Sequence, residues 1–360
     1  MSETIGIIGG MGNEAMADLA ANVAALPDAD DYSYVCYGNS RQAFTPDEAD
    51  GEWEDGDPPI RRKRHTGEFT AALLQNFGAG RVGLACNGGH PLYRDIYGGF
   101  ASTFVDMIAE TAAVPDADDG VLVLGTKRTL EERLYDDELE AAGVDTYQPT
   151  PDDRQRLMDV IYDPDFGIKT GEVTDEAESM LCDVVAAACD RHPEIDSVVL
   201  GCTELPLALN DESVPRLKAS GALPDHLSVI DPTQVLAEAL LPPTGSVETP
   251  DQVALSAYRG AFLDYDPPLT VAVDSLEQMI EFQTLLVEWT MDYFADRDAH
   301  VGGSYMHVPT LFLVDYSRPI PVDTDALDLT VHRYETVPSE PDAAVEAALD
   351  RNFEAVSHLC

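Results

Sequence analysis

Two of the six cysteines sit where chemistry could be done. Cys86 closes the apolar run Val82-Gly83-Leu84-Ala85-Cys86-Asn87, and Cys202 closes Val198-Val199-Leu200-Gly201-Cys202-Thr203. Each run reads as a buried strand. In open parallel α/β sheets, ligands bind beyond the carboxyl ends of the strands, where both thiols fall. A thiol beside backbone N–H groups at a strand end can have a lowered pKa and then serve as a base or nucleophile. Two such thiols on opposite sides of one carbon would support a two-base reaction. One thiolate removes a proton, the opposite thiol delivers one to the other face, and the stereocentre inverts without a cofactor. Buried structural thiols are the plainer alternative, since cysteine is among the most buried residue types. Position alone does not choose between the two.

The elements around these residues repeat. Gly9 and Cys86 are 77 residues apart, and so are Gly125 and Cys202. Matched spacing with matched local sequence indicates an internal duplication with an offset of 116 residues. In the first copy the pattern predicts a strand at 5–8, a glycine turn and a helix over 13–26. A strand at 32–37, a polar loop over 39–59, a helix over 60–77 and a strand at 81–85 come next. In the second copy a strand at 120–125 is followed by helices at 130–142, 151–162 and 175–191 and a strand at 197–201. Alternating strands and helices imply parallel sheets covered on both faces. The fold class expected is α/β: two pseudo-symmetric parallel-sheet domains with the active site between them, plus a C-terminal α+β domain. The first domain would span 1–115, completed by about 226–242, and the second 116–225. Pro242-Pro243-Thr244-Gly245 is a natural boundary. Beyond it, 243–360 should form the α+β domain, with strands near 269–273, 307–316 and 327–337. A helix capped by Ser275 with Gln278 in the capping box, and a last helix from Asp342, complete it.

Composition bounds the partners. Asp and Glu number 67 against 21 Lys and Arg, a formal net charge of −46. Such a surface repels phosphate backbones, which argues against nucleic-acid partners and against anionic membranes. With 44% hydrophobic residues the acid is a coat on an ordinary core rather than a sign of disorder. Only Lys63, Lys127, Lys169 and Lys218 are lysines. An acid-rich, lysine-poor surface suits a salt-filled cytoplasm, where the screening length falls to about 3 Å at 1 M. A halophilic protein that loosens in dilute buffer is therefore expected. Met1-Ser2-Glu3-Thr4 leads straight into an apolar strand, and no apolar run approaches the roughly 18 residues of a membrane span, so a cytoplasmic location is expected. The cysteines show no C-x-x-C pattern and read as reduced thiols.

Three segments together resemble the aspartate/glutamate racemase family, closest to its aspartate racemase branch. They are Ile5-Gly6-Ile7-Ile8-Gly9-Gly10-Met11-Gly12, Ala85-Cys86-Asn87-Gly88-Gly89-His90 and Leu200-Gly201-Cys202-Thr203-Glu204-Leu205-Pro206. Gly125-Thr126-Lys127-Arg128-Thr129, Tyr135, Gln148-Pro149, Ile161-Tyr162 and Ile168-Lys169-Thr170-Gly171 agree as well. The resemblance covers about 4–241. It implies a cofactor-independent racemase, often dimeric, acting on a small amino acid, with Cys86 and Cys202 as the acid/base pair. It further implies substrate contacts at Met11, Gly12, Asn39, Asn87, Thr126, Lys169 and Thr203, with His90 and Glu204 orienting or tuning the thiols. Three positions depart from the family pattern. Gly88 stands where a threonine is usual. The opening reads Gly12-Asn13-Glu14-Ala15-Met16 instead of Gly-Pro-Glu-Ala-Thr. Thr45 stands where aspartate racemases carry an arginine for the side-chain carboxylate. Arg41 is the nearby substitute, with Arg61, Arg62 and Arg64 beyond the loop. These departures keep open a hydantoin racemase, a maleate isomerase-like enzyme, or a catalytically silent amino-acid-binding protein.

Other signals are weaker. Gly10-Met11-Gly12-Asn13-Glu14-Ala15 fits the dinucleotide pattern G-x-G-x-x-A, yet the second strand ends in Tyr37-Gly38-Asn39 without the acid that would hold a ribose. The run Arg61-Arg62-Lys63-Arg64-His65 reads as the solvated start of a helix. No histidine spacing fits a metal site, so neither metal nor other cofactor is expected.

Overall fold

Apolar runs of six or seven residues form the centre of both sheets. β1 (Glu3–Gly9) pairs in parallel with β2 (Tyr32–Gly38) and with β3 (Ala79–Leu84), which pairs with β4 (Thr103–Phe104). β5 (Gly120–Gly125) pairs in parallel with β6 (Asp145–Tyr147) and with β7 (Ile195–Gly201), which pairs with β8 (Ser228–Ile230). The central strands β1, β2, β5 and β7 are buried at nearly every position, as parallel strands covered on both faces must be. The computed structural model describes residues 3–9, 13–39, 56–117, 119–168, 173–258, 267–297, 299, 307–316 and 329–357.

The duplication extends to hydrogen-bond register. The strand orders β2-β1-β3-β4 and β6-β5-β7-β8 correspond one to one. Ile5 opposite Arg81 through Ile8 opposite Leu84 in the first sheet matches Val121 opposite Ser197 through Leu124 opposite Leu200 in the second. Even the irregularity recurs, between Thr4 and Ile5 and between Gly120 and Val121. Bulges are placed features of a sheet, so a shared one marks a shared ancestor unit.

The chain forms two compact units. One gathers 1–85, 91–105 and 240–360; the other gathers 86–90 and 106–239. These bounds differ from the expectation in two ways. First, the described strands of 243–360 do not build a sheet of their own. β9 (Leu269–Val273), β10 (Thr310–Val314) and β11 (Val331–Arg333) join the first sheet, in the order β11-β9-β10-β2-β1-β3-β4. β10 lies antiparallel on β2, while β9 runs parallel to β10 and to β11. The reason is the edge of β2. All seven of its residues are buried, and such an edge left open would be a pairing hazard. Its counterpart β6 has three residues, none of them buried, and stays at the edge. The helix Leu276–Ala295 packs on the helix Asn13–Ala24 of the same unit. Its capping box is offset by one residue. Ser275 Oγ accepts the Gln278 N–H at 3.3 Å, and Gln278 Oε1 accepts the Asp274 N–H at 2.9 Å.

Second, the stretch 226–242 does not complete the first unit. β8 pairs with β7, and the chain stays in the second unit through Ala239. Residues 86–90 and 106–115 also lie in the second unit, because the chain leaves the first sheet where β3 ends.

Candidate active site

Both cysteines come after corresponding strands of the duplication. Cys86 lies two residues after β3, and Asn87–Gly89 makes a 3₁₀ turn closed by the Gly89 N–H on the Cys86 carbonyl at 3.2 Å. The helix His90–Tyr97 begins there. Cys202 comes directly after β7, and its carbonyl accepts the Leu205 N–H at 3.0 Å to start the helix Leu205–Ala208. The second unit therefore contains both turns, since Cys86–His90 clusters with 106–239. Cys86 is partly exposed and Cys202 is 5% exposed.

The floor of this unit is set by close approach at the ends of β5 and β7. A methyl group on Gly201 would lie 2.5 Å from the Leu124 carbonyl oxygen and 3.1 Å from Tyr135 Cε2. Only glycine fits. Thr126 Oγ1 caps the helix Lys127–Glu131 by accepting the Thr129 N–H at 3.4 Å. Thr129 Oγ1 in turn donates to the Gly201 carbonyl at 3.0 Å, tying the β5 side to the residue before Cys202.

Tyr135 is fully buried, with its ring on Gly201 and its hydroxyl donating to Asn87 Oδ1. Burial pushes this phenol well above its ordinary pKa, and the nearby Asp106, Asp231 and Cys202 push the same way. The hydroxyl is held protonated and serves as a donor. Asn87 is 4% exposed, and its Nδ2 is buried without a hydrogen-bond partner in the protein. Such an unmet donor costs about 1–3 kcal/mol and marks a place for an acceptor.

Glu204 reaches the second thiol. Cys202 Sγ donates to Glu204 Oε2 at 2.8 Å, and Thr203 Oγ1 donates to the same oxygen at 3.4 Å. His90 is fully buried and reaches the other turn through its backbone. Its Nδ1–H donates to the Cys86 carbonyl at 2.8 Å, so it braces the turn at the main chain. Gly88 has room for a methyl, 3.6 Å from Arg128 Cδ. The other described cysteines are core thiols. Burial pushes Cys36 and Cys189 up, and pushes Cys182 up to about 11.

Cys86, Asn87, His90, Thr126, Cys202, Thr203 and Glu204 thus share one unit. Asn39 lies in the other, buried after β2, where its Nδ2 donates to Tyr37 Oη at 3.1 Å. Met11, Gly12, Arg41 and Lys169 lie outside the described residues. Tyr135 carries no site role in the sequence reading, because a lone tyrosine reads as core. Its signal was its place in the segment that runs on from Gly125-Thr126. Among the described residues, no three His, Cys, Asp or Glu side chains are arranged to hold a metal ion. No helix among them is long and apolar enough to cross a membrane.

Comparison with known proteins points the same way. Residues 5–240 match the model of the Asp/Glu/hydantoin racemase family. A structure of an Asp/Glu racemase candidate from Yersinia pestis superposes with a TM-score of 0.52 at 20% identity, covering 66% of this chain and 97% of that one. An aspartate racemase homologue from Pyrococcus horikoshii OT3 gives 0.50 at 20% identity, covering 67% and 97%. These likenesses show the two-domain fold of that family. An uncharacterised protein of the pnlA 3′ region from Pectobacterium carotovorum subsp. carotovorum is 35% identical over 92 residues, a quarter of this chain and 55% of that protein. The match thus spans about half the length of that relative.

Proposed function

The chain belongs to the Asp/Glu/hydantoin racemase family, and from that premise we propose a cofactor-independent amino-acid racemase of the aspartate/glutamate type. Cys86 and Cys202 are the acid/base pair. One thiolate takes the Cα proton, and the thiol on the opposite face gives its proton to the carbanion. The two sulfurs exchange protonation states with each turnover, so no net proton is consumed. Negative charge flows onto the substrate carboxylate in the transition state, where preorganised donors are worth most. Asn87 Nδ2 is the donor, joined by the Thr203 hydroxyl once it turns from Glu204 Oε2 to the substrate. The observation that carries this reading is the repeat itself. Two thiols follow corresponding strands of a duplicated register at one position of the repeat, and a buried, unmet amide donor stands next to the first. A cytoplasmic homodimer belongs to the same reading.

The test is deuterium incorporation at Cα of aspartate and glutamate in D₂O with high KCl. Cys86→Ala and Cys202→Ala should each abolish racemisation. Unchanged turnover in either variant would sink the two-thiol mechanism.

Gly88 favours a second reading of the substrate. Without a side chain there, where a Cβ would meet Arg128 Cδ only at 3.6 Å, the site has room for a larger substrate such as the ring of a hydantoin. A panel of aspartate, glutamate, 5-substituted hydantoins and maleate separates the two. Turnover of hydantoins alone would select the second.

A further inference from the structure

We propose that Tyr135 is the positioning residue that holds both thiol-bearing turns at once, its ring against the end of β7 and its hydroxyl on the amide of Asn87. The inference deepens the racemase reading and rests on it for its kinetic test. Tyr135 meets the two turns by different means. Its ring lies against Gly201, the residue immediately before Cys202, where any larger side chain would strike it. Its hydroxyl donates to Oδ1 of Asn87, the residue immediately after Cys86. Asn87 lies 48 residues away in sequence, so this bond ties together segments that local structure does not. It also fixes which way the amide faces. With Oδ1 engaged by Tyr135, Nδ2 is the group left to donate, and it is buried with no partner in the protein. Turned over, the same amide would present an oxygen to an anionic substrate and repel it. Tyr135 touches no reacting atom; it sets the orientation of one that does.

The experiment compares Tyr135→Phe, Asn87→Ala and the double variant in the α-proton exchange assay. Selective ¹⁵N labelling tracks the Asn87 side-chain amide signal, identified by its loss in Asn87→Ala. Loss of one net hydrogen bond predicts about a tenfold fall in kcat for Tyr135→Phe with little change in KM. Loss of the donor itself predicts about a hundredfold fall for Asn87→Ala. The double variant should match Asn87→Ala, and the Asn87 amide signal should move in Tyr135→Phe. Effects that multiply, or an amide signal unmoved by Tyr135→Phe, overturn the proposal. Should Tyr135→Phe fail to fold, Asn87→Asp decides. It still accepts the Tyr135 hydroxyl but cannot donate, so more than a tenth of wild-type activity would overturn the assignment. Wild-type protein that exchanges no substrate proton refutes the racemase reading instead, and the amide signal then decides the positioning alone.

Discussion

Replacing Gly201 by alanine tests the close approach on which the site stands. The added methyl would lie 2.5 Å from the Leu124 carbonyl oxygen, 3.0 Å from Thr129 Cγ2 and 3.1 Å from Tyr135 Cε2. A carbon–oxygen contact normally sits at about 3.3–3.6 Å, so β5 and β7 would have to part by roughly 0.8 Å. Their backbones are hydrogen-bonded through this point, so neither strand can yield alone. Overpacking of this kind costs about 1–3 kcal/mol. The Thr129–Gly201 hydrogen bond of 3.0 Å would also be strained, adding about 1 kcal/mol. The expected loss is thus about 2–4 kcal/mol. Denaturant unfolding in high KCl measures it, with Gly88→Ala as control. There the methyl meets only Arg128 Cδ at 3.6 Å, an ordinary contact, and stability should hold to within about 0.5 kcal/mol. A Gly201→Ala protein as stable as the Gly88→Ala control would refute the packing argument.

Three further outcomes are expected. Iodoacetamide should label Cys86 before Cys202, because Cys86 is partly exposed while Cys202 is 5% exposed and hydrogen-bonded to Glu204; peptide mapping that finds the reverse order contradicts the burial. Burial pushes His307 down to about 4, so the folded protein binds fewer protons there than the unfolded chain; stability from this residue is complete above about pH 6.5 and is lost as pH falls towards 4. The loss is up to about 3 kcal/mol, and His307→Gln should flatten the difference in unfolding free energy between pH 7 and pH 4.5. Raising KCl from about 0.1 M to about 1 M shortens the screening length from about 10 Å to about 3 Å, so the thermal midpoint of this −46 chain should climb across that range, and a flat midpoint would refute the halophilic reading.

The parts legible in the sequence are those decided locally. Helices at Pro151–Tyr162 and Asp175–Arg191 have the expected bounds because Thr150 and Thr174 cap them through their own side chains. The last helix starts at Ala343 because Asp342 accepts the N–H groups of Ala344 and Val345. The expected helix over 130–142 is instead two short helices, Lys127–Glu131 and Asp136–Ala141. Between them Arg133 adopts φ 51°, and its guanidinium pairs with Asp136, Asp137 and Glu140. Apolar periodicity runs through that break unmarked. Pairing of β10 with β2 depends on an edge formed almost three hundred residues earlier in the chain, and no local pattern records it. The cysteines were legible because each follows closely on an apolar strand; Tyr135 was not, because its partner Asn87 is remote in sequence.

Duplication explains why there are two thiols and also why they are unlike. At the offset of 116, Cys86-Asn87-Gly88 corresponds to Cys202-Thr203-Glu204. The strands before them share their register, but the turns after them have diverged. Cys202 donates to a carboxylate, and the position beside Cys86 that corresponds to that carboxylate is a glycine. An enzyme that must work in both directions needs one thiolate and one thiol at rest. Under the proposed mechanism, Glu204 breaks the symmetry of the repeat by giving Cys202 Sγ an acceptor that Gly88 cannot supply to Cys86. Divergence at a single position of the repeat is thereby enough to give two equivalent cysteines unlike surroundings.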